Sequence, residues 1–129
     1  MENEPKIEIV PANPKDVRGM QEVFYRTWLA TYPNEELGIT VDDIEDRFKD
    51  RLTEEYLAKR AEKIANPDEG ETLLFAKDGD SVVGVCGVVI REDVNQLQAI
   101  YVLPEYQGRG IGWMMWKEAQ KHFDPNKNI

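Results

Sequence analysis

A chain of 129 residues with 41% hydrophobic and 32% charged side chains is long enough to bury a core and too apolar to stay disordered. No apolar run approaches the ~20 residues of a membrane-spanning helix, and Met1-Glu2-Asn3-Glu4 lacks the basic-then-apolar order of a secretory signal, so a cytoplasmic protein with no membrane partner is expected. The formal net charge of −9 opposes nucleic-acid binding and favours a cationic partner.

In chain order, residues 6–10 alternate and read as a first strand. Asn13 as N-cap, Pro14 at N1 and Asp16 at N3 then open a helix. Val17, Met20, Phe24 and Trp28 recur at helical spacing on its buried stripe, so core packing alone would account for Trp28. Thr31-Tyr32-Pro33-Asn34 breaks this helix. Thr40 with Asp43 has the form of a capping box. Ile44, Phe48, Leu52, Tyr56 and Ile64 then predict one long helix, ending near Ala65 ahead of Asn66-Pro67.

Residues 72–77, the Asp78-Gly79 hairpin signal and the valine-rich run SVVGVCGVVI at 81–90 predict two antiparallel strands. Gly84 and Gly87 inside the second mark a bulge or a close approach. A turn at Arg91-Glu92-Asp93 leads to a third strand over 95–103, completing a meander. The lone Cys86 cannot form an internal disulfide, and inside an apolar run it reads as a small core residue. His122 is the single histidine, so no metal site is expected. The whole chain, residues 1–129, reads as one domain.

The most informative stretch follows the third strand. Pro104 ends the ladder, and Gln107-Gly108-Arg109-Gly110-Ile111-Gly112 runs into a helix whose inner face is Ile111, Met115, Ala119 and His122. Glycines bare the main chain, and the amides of a helix start attract an anion. The spacing fits neither the dinucleotide fingerprint nor the P-loop, because the third glycine comes one residue early and no Lys-Ser/Thr follows.

With the preceding Tyr101-Val102-Leu103-Pro104-Glu105-Tyr106, these residues resemble the Q/R-x-x-G-x-G/A motif of the GCN5-related N-acetyltransferases (GNAT). The resemblance implies an α/β (α+β by some schemes) αβα sandwich around a mixed, mostly antiparallel sheet. It also implies direct transfer of an acetyl group from acetyl-CoA to a primary amine, with a small-molecule amine as acceptor. Donor binding would fall to the strand backbone of Ile100, Tyr101 and Val102 and to Gln107, Gly108, Arg109, Gly110, Ile111 and Gly112. Acceptor contacts would come from Trp28, Tyr32, Glu35 and Glu36.

The chain departs from the family pattern in two places. Where many members carry a glutamate, it reads Asn95-Gln96-Leu97-Gln98, and an amide takes no proton at neutral pH. That leaves Glu92, Asp93, Gln96 or a water chain to serve the proton transfer. Only about two-thirds of a complete family fold is accounted for, by size priors, so the fold is expected to be C-terminally incomplete. The 95–103 strand would then be an exposed edge that invites a second copy to form a homodimer. Alternative readings are an inactive CoA-binding or assembly module and a fragment of a longer enzyme.

Overall fold

The computed structural model of the protein describes residues 7–31, 38–92 and 94–127. Its elements are β1 (Ile7–Pro11), α1 (Val17–Thr31), α2 (Val41–Phe48), α3 (Glu54–Ala65), β2 (Glu71–Asp78), β3 (Ser81–Ile90), β4 (Asn95–Val102) and α4 (Ile111–Gln120). The strands form one sheet in the order β1-β2-β3-β4, and every pairing among the described residues is antiparallel. β1 ends on Pro11, which has no N–H to offer and is tolerated on an edge strand.

Helices cover both faces. Phe24 of α1 meets Tyr101 of β4 edge-on, with ring centroids 5.4 Å apart. On the neighbouring residue Ile100, which points to the other face, the nearest helix is α4: a Cβ built on Gly112 would lie 3.9 Å from its Cγ2. The α4 stripe Ile111, Met115 and Ala119 is fully buried, as the helical spacing predicts. His122 departs from that stripe. The helix closes at Gln120, His122 lies exposed in the following turn, and Phe123 packs against the core in its place.

The sequence also misjudged the second helix. α2 stops at Phe48, a 3-10 turn covers Lys49–Leu52, and α3 starts afresh at Glu54. The cause is Thr53, whose extended backbone (ψ 153°) lets its hydroxyl accept from the Tyr56 N–H as a new N-cap. A residue with that alternative competes with the helix ladder, and hydrophobic spacing does not register the competition. The bend brings Leu57 into the core, where the uninterrupted stripe would have placed Tyr56. The Thr40–Asp43 capping box is present in both directions, at 3.1 and 2.8 Å.

Two register shifts fall where the strand glycines predicted irregularity. Between Ala76 and Lys77 the partner strand carries Val83 as an extra residue beside Gly84. Between Gly87 and Val88 the extra residue is Gln98, on β4.

At the far end of β4, Asn95 is buried and fastens the segment after α4. Its amide donates to the carbonyls of Asp124 (2.8 Å) and Lys127 (3.1 Å), and its carbonyl oxygen accepts from the Asp124 N–H at 2.9 Å. Asn95→Ala removes three part-buried hydrogen bonds, although the Asp124 carbonyl keeps the Lys127 N–H at 3.1 Å, and should destabilise the fold by about 1–3 kcal/mol, read from the urea midpoint. A loss below about 0.5 kcal/mol would mean that the contacts add nothing beyond surface noise.

Burial pushes the Cys86 thiol up to about 11 from an ordinary 9.0. Between those two values the folded state holds the proton that the unfolded state releases. Stability should therefore fall as pH rises from about 9 to about 11, more steeply than in Cys86→Ala. The native thiol should resist a disulfide reagent at about pH 8 until the chain unfolds, which a colorimetric thiol assay in and out of urea checks.

Candidate functional site

The link from β4 to α4 is held at two points. Glu105 pairs with Arg26 of α1 at 2.6 Å, and Tyr106 donates its hydroxyl hydrogen to Asp78, the last residue of β2, at 2.6 Å. The local chemistry registers both ties. Its own backbone amide and then Arg26 hold the Glu105 carboxyl below the usual range, while the bond to Asp78 and then partial burial raise the Tyr106 phenol. Arg109 lies with its guanidinium 5.2 Å from the Tyr106 ring centroid, a cation–π arrangement that sets it beside the glycine turn.

Past these anchors the main chain is bare. Gly108 and Gly110 adopt φ of 80° and 79°, left-handed values that side chains disfavour, and a Cβ at either would meet nothing within 4 Å. Gly110 is the N-cap of α4 and supplies no side-chain cap. The first α4 amide to find an acceptor is that of Met114, bonded to the Gly110 carbonyl at 3.0 Å. The amides of Ile111, Gly112 and Trp113 therefore precede the ladder, and their donors converge with the positive end of the helix dipole. This cradle fits a diphosphate: donors without acceptors, space without side chains, and one cation alongside.

The strand leading into the cradle is the sheet edge. The Leu103 N–H donates inward to the Val83 carbonyl at 2.9 Å, and the Val102 carbonyl accepts from the Gln107 side-chain amide at 3.1 Å. By the alternation of an antiparallel ladder, the N–H and C=O of Ile100 and Val102 point away from β3, while those of Tyr101 point toward it. Of the strand residues expected to hold the donor, Ile100 and Val102 present main-chain groups to the open edge, and Tyr101 contributes its ring. Gln107 is exposed and tied back to Val102.

On the α1 side of the sheet lies a cleft of about 650 Å³. Phe24, Arg60 and Ile64 form its helical wall, and Gln98, Ala99 and Tyr101 line it on the strand side. The bulge at Gln98 thus lies where the edge of β4 meets this cleft. Glu71 is the carboxylate among the described residues that line it.

Of the residues expected to bind the acceptor or move the proton, the described ones (Trp28, Glu92 and Gln96) do not line this cleft. Trp28 is half-buried between helices, with its ring 5.8 Å from Phe48 and the Arg47 guanidinium 4.8 Å from it, so it joins α1 to α2. Tyr32, Glu35, Glu36 and Asp93 lie outside the described residues. Glu92 is exposed beyond β3, and Gln96 accepts from Arg91 Nε at 3.1 Å; neither lines the cleft. What sequence reasoning missed is the α3 wall. Arg60 and Lys63 sit in a charge-rich helix, and nothing in their spacing separates an inward cation from a solvated one.

Lys63 is engaged by Asp68 at 2.5 Å, and that hydrogen bond, ahead of all other influences, raises its pKa. Arg60 differs: its Nε is buried without a hydrogen-bond partner. An unsatisfied buried donor costs about 1–3 kcal/mol, more when charged.

A strand edge thus runs into a bare helix start, with a cleft on the α1 face of the sheet. Residues 23–127 match the family model described as acetyltransferase (GNAT) family, and the chain belongs to that family. Comparison with curated protein sequences finds no match. Among solved structures the chain is similar to the PaiA N-acetyltransferase from Thermoplasma acidophilum in complex with coenzyme A. The two are 23% identical with a TM-score of 0.70, over 90% of this chain and 70% of that one. It is also similar to the aminoglycoside N-acetyltransferase AAC(6')-Iy in complex with CoA (17% identity, TM-score 0.62, 94% and 71% covered). Glucosamine-6-phosphate N-acetyltransferase from Arabidopsis thaliana shares the fold at 15% identity and a TM-score of 0.63, over 91% of this chain and 74% of its own. No described helix is long and apolar enough to cross a membrane, and no cluster of metal-ligating side chains occurs among the described residues.

The two kinds of glycine in the cradle should respond oppositely to alanine. Gly110→Ala forces a side chain into the left-handed region and should cost about 1–2 kcal/mol. Gly112→Ala lies in ordinary helix with its nearest contact at 3.9 Å and should gain up to about 1 kcal/mol. Urea unfolding of both variants checks the pair, and destabilisation of both to the same extent would contradict the assignment.

Proposed function

We propose that this protein is an acetyl-CoA-dependent N-acetyltransferase acting on the primary amine of a small molecule. The observation that carries the reading is the cradle formed by Gly108, Arg109, Gly110, Ile111 and Gly112, with amides free of acceptors and left-handed glycines open to solvent. Acetyl-CoA would supply the activated acetyl group.

The chain's own parts divide the work. The amides at the start of α4 and the Arg109 side chain hold the diphosphate. The outward main-chain groups of Ile100 and Val102 hold the amide-bearing arm as a partial extra strand, in the manner of strand addition to an edge. The Gln98 bulge lies further along that strand, where its edge meets the cleft. The acceptor enters through the cleft, and Glu71 on its wall pairs with the ammonium or accepts the proton that must leave before the amine can attack.

The small-molecule assignment is supported by the cleft's size, about 650 Å³, within the range of small-ligand pockets. The named acceptors of two fold neighbours, an aminoglycoside and glucosamine-6-phosphate, are of that kind.

Isothermal titration should give saturable binding of acetyl-CoA, and a coupled assay should show free thiol released when an amine is added. Arg109→Ala should weaken acetyl-CoA binding by about fivefold to tenfold, as expected for one exposed charge-assisted contact. A folded protein that produced no heat with acetyl-CoA would refute the reading. Binding with no thiol release across an amine panel would favour a non-catalytic CoA-binding module.

A further inference from the structure

We propose that Arg60 is the anion-recognising residue of the acceptor cleft, so that the amine acetylated here also carries a carboxylate or a phosphate. This deepens the acceptor-side reading and rests on it. Arg60 projects from α3 into the cleft wall, where its Nε is buried and unpartnered. Among the described residues no ion pair involves it, and its neighbour Lys63 is already held by Asp68. A guanidinium cannot discharge itself by losing a proton. It therefore presents a permanent, partly desolvated positive charge to a space whose other walls include Phe24, Ile64 and Tyr101.

Apolar walls strengthen the pull of that charge on an anion within the cleft. They matter the more because the whole chain carries −9 and repels anions from a distance. The guanidinium fork also matches the oxygens of a carboxylate or phosphate in pairs. Glu71 on the same lining offers a complement for the ammonium. An acceptor with an acid at one end and an amine at the other satisfies both groups at once, and Gln98 across the cleft marks the direction of the donor.

The test follows the Arg60 Nε–H resonance of the full chain by nitrogen-15 NMR, assigned with Arg60→Lys, during titration with inorganic phosphate, succinate and uncharged succinamide. A saturable shift with at least one anion and none with succinamide is expected, and whichever anion acts identifies the acid. Absence of a shift with both anions, or an equal shift with succinamide, overturns the proposal.

In the thiol-release assay an acid-bearing amine should exceed its amide by about tenfold to a hundredfold in kcat/KM. Arg60→Gln should erase that preference through KM, and Arg60→Lys should restore part of it. An unchanged preference in Arg60→Gln also overturns the proposal. Acetyl-CoA binding should be the same in Arg60→Gln and wild type. Failure of acetyl-CoA to bind the wild-type chain would instead remove the donor reading, with the anion titration still deciding the role of Arg60.

Discussion

The structure depends on keeping the first amides of α4 without acceptors. A helix start ordinarily satisfies such donors with a Ser, Thr, Asp or Asn side chain, as Thr40 does for α2 and Thr53 does for α3. At α4 the N-cap is Gly110 and no side chain closes the site. Leaving those donors open is tolerable because they face solvent, and because the ties of Glu105 to Arg26 and Tyr106 to Asp78 fix the approach of the chain. The connection is thus set by contacts to α1 and β2, and its own backbone stays available.

That constraint also explains the position of β4. As the sheet edge it keeps the outward groups of Ile100 and Val102 in line with the cradle. The bulge at Gln98 interrupts pairing with β3 where the cleft opens on the other face. Bulges re-aim main-chain groups and are common beside functional sites. The strand edge and the cleft under α3 therefore meet at a single irregular residue. The electrostatics follow the same division: in a chain of net charge −9, Arg109 attends the cradle and Arg60 attends the cleft.

The amino-acid sequence by itself determined the strand meander, the Asp78-Gly79 hairpin, the Thr40–Asp43 cap, the buried stripes of α1 and α4 and the glycine cradle. Each depends on a few adjacent residues whose backbone preferences or spacing decide the outcome locally. The rest became legible only in the folded chain. The restart of α3 at Thr53 came from one hydroxyl outcompeting the helix ladder. His122 left its stripe because α4 closed at Gln120, two residues before it. For Trp28, whose spacing already allowed packing, the fold supplied the partners, Phe48 and Arg47. The burial of the Arg60 Nε in a cleft wall depends on α3 crossing strands that are distant in sequence, and a solvated arginine and a half-buried one look alike until that crossing is made.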